Sequence, residues 1–169
     1  MPTIGVEIEM PVINARTGAL HPVQAYFPAL VEIKRQRGLS PHLERLGDRP
    51  VAVHAGLTVS GLDNAFNNLE SSIGPLRNAA HNLDLLHGLI SSELSDVLHA
   101  LEADGATVIN FSEHPFTTPD QAYYKRMRTP KPIYDYWVGY RGWNHMAGID
   151  AKAHNGPTTG IGVEKAIRG

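Results

Sequence analysis

The sequence contains no cysteine, which excludes disulfide bonds, thiolate metal sites and a cysteine nucleophile. It also lacks an excess of charge, since a net charge of -2 and a pI near 6.5 give no electrostatic basis for binding nucleic acid or an anionic membrane surface. No secretory signal precedes Glu7 and Glu9, and no segment approaches the roughly 18 apolar residues that a membrane helix needs. These absences predict a cytoplasmic protein without nucleic-acid or membrane partners.

The length of 169 residues, with 42% hydrophobic and 19% charged residues, predicts one globular domain over residues 1–169. Apolar residues at helical spacing predict helices over 24–37 and from Gly74-Pro75 to an αL cap at Asp104-Gly105. Runs rich in β-branched residues predict strands, with a turn over 60–64 and a polar connection over 40–50. The strands are predicted at residues 4–10, 51–59, 65–73, 106–111 and 144–154. The predicted fold class is α+β.

Two acids stand in the first predicted strand, Glu7 and Glu9. Because side chains alternate along a strand, both lie on one face, where like charges repel unless a cation, a ligand or solvent compensates them. Carboxylate oxygens that converge in this way suit Mg²⁺. A plain antiparallel strand with one solvated face remains the alternative. On the predicted strand at 65–73, alternate positions that include Asn68 and Glu70 form a mostly polar face, typical of a site lining or a solvated surface.

The histidines do not form a recognised metal motif. His81, His87 and His99 fall on the second predicted helix, where the spacing favours surface positions. A zinc hydrolase could use His114, His145 or His154, but no H-E-x-x-H spacing is present. The glycines of residues 156–160 lack the Gly-Lys-Ser/Thr ending of a phosphate loop, and a turn followed by a helix cap is the favoured interpretation.

Four motifs stand in order along the chain: residues 5–10 (GVEIEM), 67–72 (NNLESS), 111–116 (FSEHPF) and 144–150 (NHMAGID). Tyr124 and Arg126 follow the third motif. The four motifs resemble, in the same order, those of the glutamate–cysteine ligase family, whose members are ATP-dependent carboxylate–amine ligases related in fold to glutamine synthetase. The resemblance implies a curved, largely antiparallel sheet with helices packed on one face. The chain would be the N-terminal portion of a larger ligase domain.

The resemblance also implies a reaction and its participants. Mg²⁺ and ATP would activate the γ-carboxylate of glutamate as an acyl phosphate. The amine of cysteine, or another amine, would then capture it, giving γ-glutamylcysteine as in glutathione biosynthesis. Phosphoryl transfer needs cations to neutralise the transferring oxygens, and carboxylates hold such cations. The implied metal ligands, or alternatively contacts to the substrate amino group, are Glu7, Glu9 and Glu70. The implied catalytic residues are Glu70 and His145, and the implied substrate-binding residues are Asn68, His114 and Arg126.

The sequence departs from the family in two ways. Many relatives carry two histidines two residues apart in the late strand, whereas this chain has only His145 there. Family chains are also much longer, so this chain is expected to be only part of the domain that the family shares. Its last residues would then leave an apolar face of Val163, Ala166 and Ile167 uncovered. We therefore expect self-association through this face and no ligation by the chain alone. The alternative is a truncated or degenerate relative that acts as a non-catalytic ligand-binding or interaction module.

Overall fold

In the residues that the structure describes, the fold is α+β, as the sequence predicts: a six-stranded antiparallel sheet with two packed helices. This computed structural model describes residues 3–63, 65–77, 81–109 and Thr129. The strand order is β2-β3-β4-β5-β1-β6. The elements are β1 (Thr3–Asn14), α1 (Tyr26–Gln36), β2 (His42–Leu46), β3 (Arg49–Ala55), β4 (Thr58–Leu62), β5 (Asn68–Arg77), α2 (Leu83–Leu101), a 3₁₀ turn (Glu102–Asp104) and β6 (Ala106–Val108). The predictions for His114, Arg126, His145 and the C-terminal apolar face lie outside the described residues.

The chain divides into two compact units. The described residues of the first are 3–8, 23–61, 70–77 and 81–107, and they include both helices. The described part of the second contains residues 9–22, 62–69 without 64, 108–109 and Thr129. In the second unit the N–H of Val12 donates to the carbonyl of Asn67, and the N–H of Ile109 donates to that of Pro11. No helix in the described part of the chain has the length and apolar character needed to cross a membrane.

The core of the first unit forms where β1 and β5 meet α2. Ile73 and Leu76 of β5 are buried with Leu86 of α2. The apolar side chains that alternate along the start of β1 pack against this cluster: Ile4, Val6 and Ile8. Val6 and Ile8 therefore face the core, and the alternation along the strand leaves Glu7 exposed between them.

The hairpin in the middle of the chain turns earlier than the sequence predicts. Instead of one strand over 51–59, β3 and β4 pair directly, and the register of Ala55 with Thr58 leaves Gly56 and Leu57 as the turn. Gly56 takes a φ of 61°, which glycine adopts without steric cost. The predicted turn over 60–64 was wrong because Gly61 belongs to β4. Glycine at this position allows close approach to β3, since a Cβ there would lie 3.2 Å from the Cβ of Ala52.

Two other predicted boundaries are corrected. The polar connection over 40–50 contains β2, which pairs with β3, so its polar residues reflect a strand at the sheet edge. The second helix begins at Leu83 and not at Gly74-Pro75, because β5 continues to Arg77. The N–H of Gly74 donates to the carbonyl of Leu57, and Leu76 is buried in the core. The predicted αL cap is confirmed, since Gly105 has a φ of 60°.

A buried polar network joins α1 to α2. The Lys34 Nζ lies 2.5 Å from a carboxylate oxygen of Glu93 and 2.8 Å from one of Asp96, and all three side chains are at most 3% exposed. The Nε of Arg37 lies 2.7 Å from Asp96. The Oγ of Ser71 donates to Glu93 at 3.4 Å. Two cations thus balance two acids that burial would otherwise make costly.

The network continues to the phenol of Tyr26. Its oxygen lies 2.7 Å from the Oγ of Ser60, and the Oγ of Ser60 lies 3.2 Å from that of Ser71. The pKa of Tyr26 is raised above its usual value, mainly because the phenol is buried. The bond to Ser60 lowers it, and the charges of Glu93 and Asp96 raise it further. The phenol is therefore a neutral hydrogen-bonding group.

The first helix is capped from a distant part of the chain. Ala25, at the N-cap position, has no side-chain oxygen, and the carboxylate of Asp104 takes its place. The N–H groups of Gln24, Ala25 and Tyr26 donate to Asp104 at 3.0, 2.9 and 2.9 Å. The carboxylate thus satisfies amides at the positive end of the helix dipole.

We expect Asp104→Ala to lower the free energy of unfolding by about 2 kcal/mol, because three amides lose a charged acceptor. Chemical denaturation followed by circular dichroism measures this change. Asp104→Asn should cost less, since its amide oxygen still accepts. Glu102→Ala is the matched control, as Glu102 is exposed in the same turn. Equal effects of Asp104→Ala and Glu102→Ala would contradict the capping role.

Candidate metal centre

The candidate site begins with Glu9 of β1 and Glu70 of β5. The two strands are neighbours in the sheet, and each residue is partly buried. Ser72 follows Glu70 on the same face of β5, and its Oγ donates to Oε1 of Glu70 at 3.2 Å. The sequence predicts both acids as ligands on polar strand faces, and the structure brings these two together.

A third acid, Asp63, comes from the loop that joins β4 to β5. The loop is tight, because the N–H of Asp63 donates to the carbonyl of Asn68 and the N–H of Asn68 donates to that of Ala65, both at 3.0 Å. The buried amide of Asn68 also donates through Nδ2 to Oδ2 of Asp63 at 3.2 Å. The loop backbone and the Asn68 side chain together hold the Asp63 carboxylate beside the start of β5.

Glu9, Asp63 and Glu70 each offer one carboxylate oxygen, and these three oxygens lie within 4.8 Å of one another. The sequence interpretation missed Asp63 because it assigned the residue to a turn. The sequence signal for Asp63 was its position between two predicted strands, five residues before Asn68, where the chain reverses direction. Residues on either side of such a reversal are brought close together.

The remaining residues that the sequence predicts for the site lie outside the group of three acids. Glu7 is exposed on β1 and does not belong to the group of three acids, so its assignment as a ligand stays a prediction. Asn68 contacts Asp63 directly. His114, Arg126 and His145 lie outside the described residues. His81, His87 and His99 are exposed; His87 and His99 lie on α2, whereas His81 precedes its first residue, Leu83.

The donor set matches a hard divalent cation. Three carboxylate oxygens and no imidazole among the donors suit Mg²⁺, Ca²⁺ or Mn²⁺ better than Zn²⁺. Ionised carboxylates this close repel one another, and a divalent cation among them would relieve that repulsion. Partial burial would strengthen the attraction relative to a fully solvated group. The residues present therefore fit the Mg²⁺ that the motif resemblance implies.

Comparisons with known proteins do not add to this geometry. The chain matches no protein-family model, and a search of curated proteins finds no match. The resemblance to glutamate–cysteine ligases therefore rests on the four motifs, and the metal centre rests on the positions of its three carboxylates.

Proposed function

We propose that this chain belongs to an enzyme that ligates the γ-carboxylate of glutamate to an amine, such as that of cysteine, in an ATP- and Mg²⁺-dependent reaction. The active enzyme would be a longer chain that contains these residues. The observation that carries the proposal is the group of carboxylates of Glu9, Asp63 and Glu70, whose oxygens lie within 4.8 Å of one another. Two of these acids belong to motifs that resemble the family. The third completes a donor set for the cation that the reaction requires.

The proposed reaction has two steps. An oxygen of the glutamate γ-carboxylate attacks the terminal phosphorus of ATP, and ADP leaves with the electron pair of the broken P–O bond. The amine nitrogen then attacks the acyl carbon, loses a proton and expels inorganic phosphate. A divalent cation held by the carboxylates would neutralise negative charge on the phosphate oxygens.

The residues of this chain contribute position and charge. Glu9, Asp63 and Glu70 would hold the cation. Asn68 acts through Asp63, since its Nδ2–H donates to Oδ2 and fixes the direction of that carboxylate. The hydroxyl of Ser72 does the same for Glu70. Such hydrogen bonds to ligating carboxylates set ligand geometry and tune metal affinity.

Trapping the acyl phosphate tests the proposed reaction. This chain and a longer chain from the same reading frame are each incubated with Mg²⁺-ATP, glutamate and hydroxylamine, which converts an acyl phosphate into a hydroxamate. We expect γ-glutamyl hydroxamate and an equal amount of ADP from the longer chain only, both lost when glutamate or Mg²⁺ is omitted and both strongly reduced by Glu70→Gln. Glu32→Gln is the control, because Glu32 is an exposed acid on α1. Mg²⁺-dependent ATP and glutamate binding without hydroxamate from either chain would favour the binding module, and absence of binding to both chains would contradict both functions.

A further inference from the structure

A second cluster of metal-binding side chains lies on the outer hairpin formed by β2 and β3. His42 of β2 is paired directly with His54 of β3 in the antiparallel register. Their imidazole rings have centroids 6.1 Å apart and are tilted by 50°. Glu44, two residues after His42 on β2, places a carboxylate oxygen 2.8 Å from Nε2 of His54.

The cluster is open to solvent. The side chains of His54 and Glu44 are 43% and 46% exposed, and His42 is exposed as well. Directly opposed residues of antiparallel strands have Cβ atoms about 5 Å apart, so a modest rotation of the exposed His42 ring lets both imidazoles reach one cation. The backbone pairing thus brings the two potential ligands together without any loop movement.

The contact between Glu44 and His54 has the form found around metal-bound histidines. A ligating histidine commonly donates its other ring N–H to a carboxylate, which fixes the tautomer and the ring orientation. With Nε2–H of His54 donated to Glu44, the lone pair of Nδ1 remains for a cation. Glu44 is therefore a positioning residue in this arrangement.

We propose that His42 and His54 form a surface site for an imidazole-preferring divalent cation, Zn²⁺ or Ni²⁺, with Glu44 positioning His54. Water would fill the remaining coordination positions of such a cation. Imidazole nitrogen suits these cations, whereas the carboxylate group of Glu9, Asp63 and Glu70 suits Mg²⁺. The inference is independent of the proposed ligase function. A bound cation would tie β2, the strand at the sheet edge, to β3.

Calorimetric titration of the whole chain with Zn²⁺ tests the site, with excess Mg²⁺ present to occupy the carboxylate group. We expect His42→Ala and His54→Ala each to lower Zn²⁺ affinity about tenfold or more. Glu44→Ala should weaken binding by about tenfold, and Glu44→Gln should retain most of it because the amide oxygen still accepts from Nε2–H. The substituted side chains are partly or fully exposed, so the variants should fold.

His87→Ala is the matched control, because His87 is an exposed histidine on α2. It should leave Zn²⁺ affinity unchanged. In a thermal melt, Zn²⁺ at about a hundredfold excess over its Kd should raise the midpoint by about 5 °C in the unsubstituted chain and in His87→Ala, but not in His42→Ala. The proposal is overturned if His42→Ala binds Zn²⁺ with unchanged affinity, or if His87→Ala weakens binding as much as His54→Ala does.

Discussion

Replacing Lys34 with methionine is expected to lower the free energy of unfolding by about 3–5 kcal/mol. The ammonium of Lys34 lies between Glu93 and Asp96, and its side chain is only 3% exposed. Methionine has a similar volume, so the change removes the charge with little loss of packing. Arg37 remains close to Asp96, but Glu93 would lose its cation and keep the hydroxyl of Ser71 as its partner in this network. Equilibrium denaturation by urea measures the loss.

Arg35→Met is the matched control for this substitution. Arg35 follows Lys34 on α1 and is exposed, so its replacement should change the free energy of unfolding by no more than about 0.5 kcal/mol. The double variant Lys34→Met/Glu93→Gln should be more stable than the sum of the two single changes predicts. Removing both charges avoids the unpaired buried carboxylate that Lys34→Met alone leaves at Glu93. A loss at Lys34 no greater than that at Arg35 would show that the network does not stabilise the fold.

Replacing Asp63 with asparagine is expected to lower the Mg²⁺ affinity of the chain about tenfold or more. The substitution keeps the size of the side chain and removes one of three negative charges whose oxygens lie within 4.8 Å of one another. Asn68→Ala should weaken Mg²⁺ binding by a smaller factor, since it removes the hydrogen bond to Asp63 and keeps all three carboxylates. Calorimetric titration with Mg²⁺ measures both affinities.

Two further variants complete this experiment. Glu32→Gln removes an exposed acid of α1 and should leave Mg²⁺ affinity unchanged. Glu7→Gln tests the ligand that the motif resemblance implies but that lies outside the group of three acids. A loss in Glu7→Gln as large as that in Asp63→Asn would add Glu7 to the site. Unchanged affinity in Asp63→Asn would show that Asp63 is not a ligand.

The sequence by itself determined features that depend on near neighbours along the chain. The spacing of Tyr26, Phe27, Leu30 and Val31 predicts α1, and these side chains are buried in it. Gly105 marks the αL position after the second helix. The alternation of β1 places Val6 and Ile8 in the core. Such features follow from the periods of helix and strand, which a sequence displays directly.

The tertiary structure decided which polar residues meet. Lys34 stands in the basic last turn of α1, where the sequence indicates only a favourable interaction with the helix dipole, yet the packing of α1 on α2 buries it against Glu93 and Asp96. Glu93 and Asp96 lie on the buried face of α2 in spite of their charge. Helical periodicity does not signal such positions, because charged residues are normally assigned to the solvated face.

The same limit applies to the metal centre. The pattern of β1 and β5 identified Glu9 and Glu70 as acids on polar strand faces, but Asp63 joins them through the loop between β4 and β5, where Asn68 holds its carboxylate. Asp104 likewise caps a helix whose start lies about eighty residues earlier in the chain. A sequence pattern reports local conformational preference, whereas these contacts depend on strand register and helix packing, which are set by burial of the whole core.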